Sequence, residues 1–527
     1  MSASTISFGA SAPDRSVSLK TWIMVMAGLL GAFMAVLNIQ ITNASLLDIE
    51  GGIGTGVDNG AWISTAYLIG EIIVIPLTDY LSRVFSFRRF LLTNAILFLT
   101  FSVACAFAGN LQQMIALRAI QGFTGGVLIP MAFTLILTKL PVAQRPIGMA
   151  LFAITATFAP AIGPTIGGYL TENYGWQYIF FINLVPGLIM VATLFATLER
   201  QPMQLGLLKQ GDWVGIAAMA IGLGALQTVL EEGNKDDWFG SPFIVRLTVV
   251  AVVSLALFVW IELTVKYPAV NLRLLARRNF GLGTLAGALV GFALYGSVYL
   301  LPQYLGQAQG YNAEQIGSVM AWTGLPQLLI IPFVPMLMGR FDVRHIVIVG
   351  LSVFGGSFLM NVHMSANYAG DQFFVPNVIR AAGQALVLGP MTGIAMVGVA
   401  QFESAAASGI YNMARNLGGA FGTALLGTLV TKREQFHSNI IGSTVSLYSE
   451  TVRDRLAAMT SYFESRGISD VAAAHEQAVI ALGNAVRRQA LIMSFSDAFA
   501  VLGVMLILAA CFIMFTRKGQ ASAAGAH

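Results

Sequence analysis

The chain has 527 residues, of which 56% are hydrophobic and only 10% charged. Soluble proteins carry about 25% charge, so this composition excludes an aqueous globular protein and places the chain in a lipid bilayer. The net charge of +4 does not mark a nucleic-acid partner, because no basic domain exists to carry one.

A membrane-spanning helix needs roughly 20 apolar residues, and fourteen segments approach or exceed that length. They cover 20–42, 58–80, 89–109, 112–138, 146–170, 176–198, 212–231, 242–264, 279–302, 313–339, 344–364, 373–398, 404–430 and 490–516. The runs are long and continuous, which predicts helices; a barrel shows short segments of alternating hydrophobicity. The expected fold class is all-α and integral to the membrane. The first run is too long for a signal peptide and lacks a small-residue cleavage site, so it reads as the first span. Cys105 and Cys511 fall in spans and read as small buried apolar residues, with no disulfide framework or metal site implied.

Polar and charged groups inside spans are costly in lipid and mark sites or paths. The first span ends in Leu37–Asp48, LNIQITNASLLD, with amides at Asn38 and Asn43. Glu71 stands at mid-depth in the second span, within STAYLIGEIIVIP, with no cation three or four residues away. A carboxylate without a partner in an apolar setting favours its protonated form, which is what proton coupling needs; a hydrogen-bonded structural acid is the other reading. The fourth span holds Arg118 in LQQMIALRAIQGFTGGVLIP, with Gln121 one turn on and Gly122, Gly125 and Gly126 behind it. Its charge serves either a functional path or a structural pairing. In the fifth span, Ala159–Gly168 reads APAIGPTIGG. Gly163 and Gly167 share one helix face and admit another backbone, while Pro164 removes a helix hydrogen bond and favours a kink.

The pattern around Arg118 recurs in the twelfth span, where Val378–Pro390 reads VIRAAGQALVLGP with Arg380 in the same role. Two similar helices, each with a buried cation, indicate a duplicated membrane protein. The thirteenth span carries Tyr411, Asn412 and Arg415, followed by LGGAFGTALLG, a glycine-rich face suited to helices that slide in contact. Between 431 and 489 the chain turns polar and amphipathic, with SETVRDRLAAMTSYFESRG and DVAAAHEQAVIALGNAVRRQA. This periodicity predicts helices standing on one face of the membrane, as a solvated cap or as a docking surface. Asp497 in the last span is either a coupling carboxylate or an interfacial acid reaching water. His345, His363 and His437 show no metal-ligand spacing.

Lysine and arginine gather on one set of connections: Arg15 and Lys20; Arg83, Arg88 and Arg89; Lys139, Arg145, Arg200 and Lys209; Lys266, Arg273, Arg277 and Arg278; Arg340 and Arg344; Arg517 and Lys518. The opposite short loops carry Lys235, with Arg246 just inside the next span. The positive-inside rule places both termini in the cytoplasm. The 431–489 segment then lies outside, and long loops escape that rule.

Together these motifs resemble the major facilitator superfamily, specifically its fourteen-span drug:proton antiporters of the EmrB/QacA type, over essentially the whole chain. Leu37, Ile41, Asn43 and Leu46 fit the family pattern LDxTIVNVALP, with Asn38 where relatives carry an acid. Pro76–Arg89, PLTDYLSRVFSFRR, is similar to the cytoplasmic signature GxLaDrxGrrk through Leu77, Asp79 and Arg83. Ile75 and Ser82 stand at its two glycines, and Arg88 and Arg89 come a little late. A carboxylate facing guanidiniums can latch neighbouring helices together. APAIGPTIGG resembles the antiporter signature GxxxGPxxGG, with Gly163, Pro164, Gly167 and Gly168 in place and Ala159 at the first glycine. WQYIFFINLVPG, from Trp176 to Gly187, resembles the family's entry to the sixth span.

The resemblance implies a major facilitator fold: a six-helix bundle over 1–200, an inserted helix pair over 201–278, and a second bundle over 279–527 that includes a periplasmic helical loop, 431–489. It implies a substrate site between the halves, reached by alternating access. It further implies proton-driven export of amphipathic drugs across the bacterial inner membrane, with no cofactor and no enzymatic step. Proton coupling falls to Glu71, Arg118 and Asp497. The substrate cavity falls to Asn38, Asn43, Gln121, Arg380, Tyr411, Asn412 and Arg415, and the cytoplasmic gate to Asp79, Arg83, Arg88 and Arg89. Gram-negative relatives work with a membrane-fusion adaptor and an outer-membrane channel, so such partners are allowed. A second transporter reading is export of a dedicated metabolite, siderophore or fatty acid, since Arg118, Arg380 and Arg415 suit an anion. A membrane enzyme or receptor has no support from paired carboxylates, histidine clusters or a nucleophile.

Overall fold

The computed structural model describes residues 18–55, 57–265, 268–446 and 448–517. Arg15, Lys266 and Lys518, used above for orientation, lie outside the described residues. The first half contains α1 (Leu19–Ala44), a short α2 (Leu46–Ile53), α3 (Val57–Phe85), α4 (Phe87–Cys105), α5 (Leu111–Gly126), α6 (Leu128–Lys139), α7 (Arg145–Tyr174), α8 (Tyr178–Phe181) and α9 (Leu184–Thr197). Next come α10 (Trp213–Glu232) and α11 (Pro242–Thr264). The second half contains α12 (Arg278–Gln309), α13 (Ala313–Ile330), α14 (Val334–Arg340), α15 (Val343–Leu359), α16 (Gly370–Ala395), α17 (Ser404–Thr444), α18 (Glu450–Ser465) and α19 (Val471–Met514).

Among the described residues, eleven helical stretches are long and apolar enough to cross a bilayer, with α5–α6, α8–α9 and α13–α14 each acting as one. Helices are the only open solution there, because lipid offers no partner to a free N–H or C=O. Three more helices complete the fourteen read from the sequence. Each falls short for a visible reason. Pro160 and Pro164 interrupt α7, α15 has 17 residues, and α17 carries Arg415 and Asn412 through its apolar stretch.

Apolar packing divides into two large cores. One joins α1 and α3–α9 through residues such as Val25, Phe98, Phe133 and Phe180. The other joins α12, α13, α15, α16 and α19 through Tyr304, Phe354, Phe373 and Phe499. A third, smaller core seats the α10–α11 pair against α3 and α17, with Met219, Leu223 and Phe258 meeting Ile72 and Ile410. Glycine sets the closest approaches in both halves. A Cβ at Gly122 of α5 would strike the backbone of Tyr67 in α3, and one at Gly418 of α17 would strike that of Ala288 in α12.

The 431–489 segment is helical, as its periodicity predicts, but it is built differently from separate helices on a surface. α17 and α19 run on beyond their apolar stretches, and α18 packs against α19. At the base of this hairpin Asp497 takes Arg433 Nε at 2.6 Å and His437 Nε2 at 2.8 Å. Cys105 is buried as expected, whereas Cys511 is exposed on the outer face of α19. At the opposite end, Arg277 holds Glu403 through two hydrogen bonds of 2.7 and 2.9 Å. That pairing keeps the Glu403 carboxyl below its usual range.

Candidate functional site

A cavity of about 600 Å³ lies between the two halves, walled by α1, α3 and α7 on one side and α12, α13 and α17 on the other. The inserted helix α10 closes its flank with Gln227, Leu230, Glu231 and Glu232. Its upper lining reaches Gln303 and Gly427, near the hairpin end. Toward the arginine-rich connections the halves touch: a Cβ at Gly409 of α17 would lie 3.3 Å from the carbonyl of Ile75 in α3. The cavity therefore reaches toward the end that carries α18, with Glu71 among its lining groups.

Glu71 is 3% exposed. Sequence spacing shows no cation nearby, but the fold supplies partners from the other half. Asn416 Nδ2 donates to Glu71 Oε1 at 3.1 Å, across 345 residues of chain. The charges of Arg415 and, more weakly, Arg118 act on the same carboxyl. Among the described residues its Oε2 has no hydrogen-bond partner. The expectation of an unpaired acid is thus corrected to an acid held on one oxygen and free on the other.

Arg118 is fully buried, and its guanidinium is used inside the first half. It donates to Asn38 Oδ1 at 2.5 Å, to Gln121 Oε1 at 2.8 Å and to the carbonyl of Ile63 at 3.2 Å. The ring of Tyr67 lies 4.4 Å from its CZ atom. Burying a charge is tolerable only with this density of partners. Asn38, where relatives carry an acid, accepts from Arg118 and does not touch the cavity. Arg380 repeats the arrangement in the second half, donating to Ser297 Oγ at 2.7 Å beside the Phe358 ring.

Several residues expected in the cavity stand behind its wall. Asn38, Gln121, Arg380, Tyr411, Asn412 and Arg415 are buried and are not among its lining residues. Some of their groups are bonded to neighbours, as when Asn412 Nδ2 bonds the Ser408 carbonyl at 2.9 Å, whereas Asn38 Nδ2, Gln121 Nε2, Arg380 Nε, Asn412 Oδ1 and Arg415 Nε are buried without a hydrogen-bond partner among the described residues. Asn43 does line it, and accepts from Ser64 Oγ. Asp497, expected to couple protons, is instead occupied by Arg433 and His437 and lies outside the lining. The sequence reading missed Glu231, Tyr295, Tyr299 and Asn416, all of which line the cavity. Glu231 carries the one available signal, an acid at the end of an otherwise apolar span.

The gate motif is also rearranged. Asp79 pairs with Arg83 of its own helix at 2.9 Å rather than with a neighbour. Arg88 donates to the Phe195 carbonyl of α9 at 2.7 Å, and Arg89 is exposed. In the antiporter motif, Gly163 and Gly167 face α1. A Cβ at Gly163 would press on Gln40, and one at Gly167 would lie 2.9 Å from the Ile41 carbonyl. Pro164 lines the cavity itself, and Gly168 is buried.

The family model described as Major Facilitator Superfamily matches residues 28–423. The chain is 33% identical over 499 residues to the "Colistin resistance protein EmrB" of Acinetobacter baumannii, covering 95% of this chain and 97% of that one. It is 32% identical over 490 residues to the "Multidrug export protein EmrB" of Escherichia coli K12, covering 92% and 93%. It is also 30% identical over 507 residues to the "Fatty acid resistance protein FarB" of Neisseria gonorrhoeae, covering 96% and 98%. A duplicated helical fold, a cavity between its halves and these relatives agree: the chain belongs to the Major Facilitator Superfamily, in its EmrB-type multidrug efflux family, and is a secondary transporter rather than an enzyme.

Proposed function

We propose that this transporter is a proton-coupled antiporter that exports amphipathic, mainly cationic compounds across the bacterial inner membrane, with both termini cytoplasmic. The observation that carries this reading is Glu71, a buried carboxylate with one free oxygen in a cavity between the halves. Such a group binds either a proton or a cation, and competition between the two is antiport in its simplest form. Under the orientation proposed, the cavity reaches toward the periplasm. Protonation of Glu71 from that side neutralises it and releases a cationic substrate. Rocking of 1–200 against 279–527 then presents the acid to the cytoplasm, where proton loss restores its hold on the next cation. The inserted pair over 201–278 moves as part of the cavity wall.

The likeness to FarB and the arginines of the second half favour an anionic substrate as the other reading. Arg118 and Arg380 are already bonded within their own halves, which leaves Arg415 behind the wall and Lys235 in the lining as cations near the cavity. Pure protein in inverted proteoliposomes decides between the two. An imposed pH gradient should drive uptake of cationic amphiphiles and release protons in return. Uptake confined to anionic compounds would establish the second reading, and no gradient dependence would overturn antiport.

The helical hairpin suits a periplasmic adaptor, and through it an outer-membrane channel. Replacing 438–484 by a short flexible linker leaves Arg433, His437 and Asp497 in place. This deletion is expected to spare transport in proteoliposomes but to lower drug resistance several-fold in a cell with an outer membrane. Equal loss in both assays makes the hairpin a structural cap, and no loss in either makes it dispensable.

A further inference from the structure

We propose that Glu231, on the inserted helix α10, is an outer cation-binding subsite of the transport cavity, one that holds the positive group of an amphipathic organic cation at a second level beside Glu71. The proposal rests on the transport reading above and adds a residue and a role for the inserted pair.

Glu231 lines the cavity, and its side chain accepts from Gln227 Nε2 of its own helix at 3.0 Å. Lys235, which also lines the cavity, makes its 3.6 Å ion pair with the adjacent Glu232. The adjacent Glu232 is differently placed: it is buried, accepts from Thr65 Oγ1 of α3 at 3.2 Å and has Lys235 at 3.6 Å. Glu232, also in the cavity lining, thus ties α10 to the first half, whereas the hydrogen bond of Glu231 stays within its own helix.

The opposite wall gives these acids their spacing. Tyr295 and Tyr299 of α12 both line the cavity and lie four residues apart on one face, a rise of about 6 Å. Tyr295 packs on Gly419 of α17, one turn from Asn416, which bonds Glu71, and Tyr299 lies against Gly427, further toward the hairpin; the charge of Glu71 acts on Tyr295 and that of Glu231 on Tyr299. The cavity therefore offers two levels, each with a carboxylate and a phenol, about one helical turn apart. An aromatic face beside a carboxylate is a receptor for organic cations. Glu71 supplies independent support: its Oε2 is buried in the same cavity without a partner, an acceptor that a ligand can satisfy.

The test measures binding of tetraphenylphosphonium and of neutral triphenylphosphine oxide to the purified full chain. Glu231→Gln is expected to weaken phosphonium binding about tenfold, or about 1.4 kcal/mol, and to change binding of the neutral compound less than about twofold. Glu231→Asp, which keeps the charge, should recover most of the affinity. Unchanged phosphonium affinity in Glu231→Gln overturns the proposal, as does equal loss for both compounds. Where Glu231→Gln is not monodisperse, Glu231→Asp is compared with the wild type alone: charge-selective retention supports the subsite, and equal loss for both compounds overturns it. A wild-type chain that binds phosphonium through Glu231 but never moves it overturns the transport reading and leaves the subsite standing. Failure of the wild type to bind either compound overturns both.

Discussion

Glu71→Gln is expected to reduce pH-driven accumulation to the background of empty vesicles while leaving expression and folding intact. Glutamine has nearly the same volume, and its carbonyl oxygen can still accept from Asn416 Nδ2, now at 3.1 Å from Glu71 Oε1. Packing in the cavity floor is therefore preserved. What disappears is titration, and with it the competition between proton and cation that antiport requires. The loss belongs to the coupling step rather than to the fold, so thermal stability should shift little. The decisive measurement is proton release on adding substrate to the purified variant. Release at the wild-type level removes Glu71 from the coupling role and directs attention to Glu231. Asp497 is a weaker successor, because Arg433 and His437 already occupy it at 2.6 and 2.8 Å.

Gly163→Leu combined with Gly167→Leu should block transport in a protein that still inserts. α7 meets α1 along these glycines, and the added Cβ atoms alone would press on Gln40 and lie 2.9 Å from the Ile41 carbonyl. Overpacking of this kind costs about 1–3 kcal/mol at each site. Part of that strain must be relieved by moving α1 away, and Gln40 is itself a cavity residue. Transport is therefore expected to fall at least tenfold, by deforming the wall and blocking its motion. Gly339→Leu is the matched control, since a Cβ there meets nothing within 4 Å. Unchanged transport in the double variant would mean that α1 and α7 need not stay in close contact. Equal damage from Gly339→Leu would mean that the assay reports membrane insertion rather than mechanism.

The adaptor role proposed for the hairpin and the subsite proposed at Glu231 bear on different ends of the transport path. The first concerns what happens after substrate leaves the cavity, and the second what the cavity selects. A hairpin deletion that keeps phosphonium binding, together with a Glu231 variant that keeps adaptor-dependent resistance to neutral drugs, would separate them.

Membrane location, helix class and the fourteen spans were legible in the sequence, because each depends on local composition and length. Lipid leaves a continuous apolar run no alternative to a helix. The glycine pairs were legible too, since residues four apart share a helix face whatever surrounds them. Which polar groups enter the cavity was decided only by the tertiary structure. Arg118 and Arg380 look like the prime site residues in a linear reading, yet each is turned inward and bonded within its own half. Glu71 looks solitary, yet Asn416 reaches it from 345 residues away. Asp79 looks like a latch between helices, yet it pairs with Arg83 one turn along. The physical reason is common to all of them. Hydropathy sets that a helix spans, but its rotation about its own axis is set by packing against neighbours distant in the chain, and that rotation decides whether a charge faces a partner or a cavity.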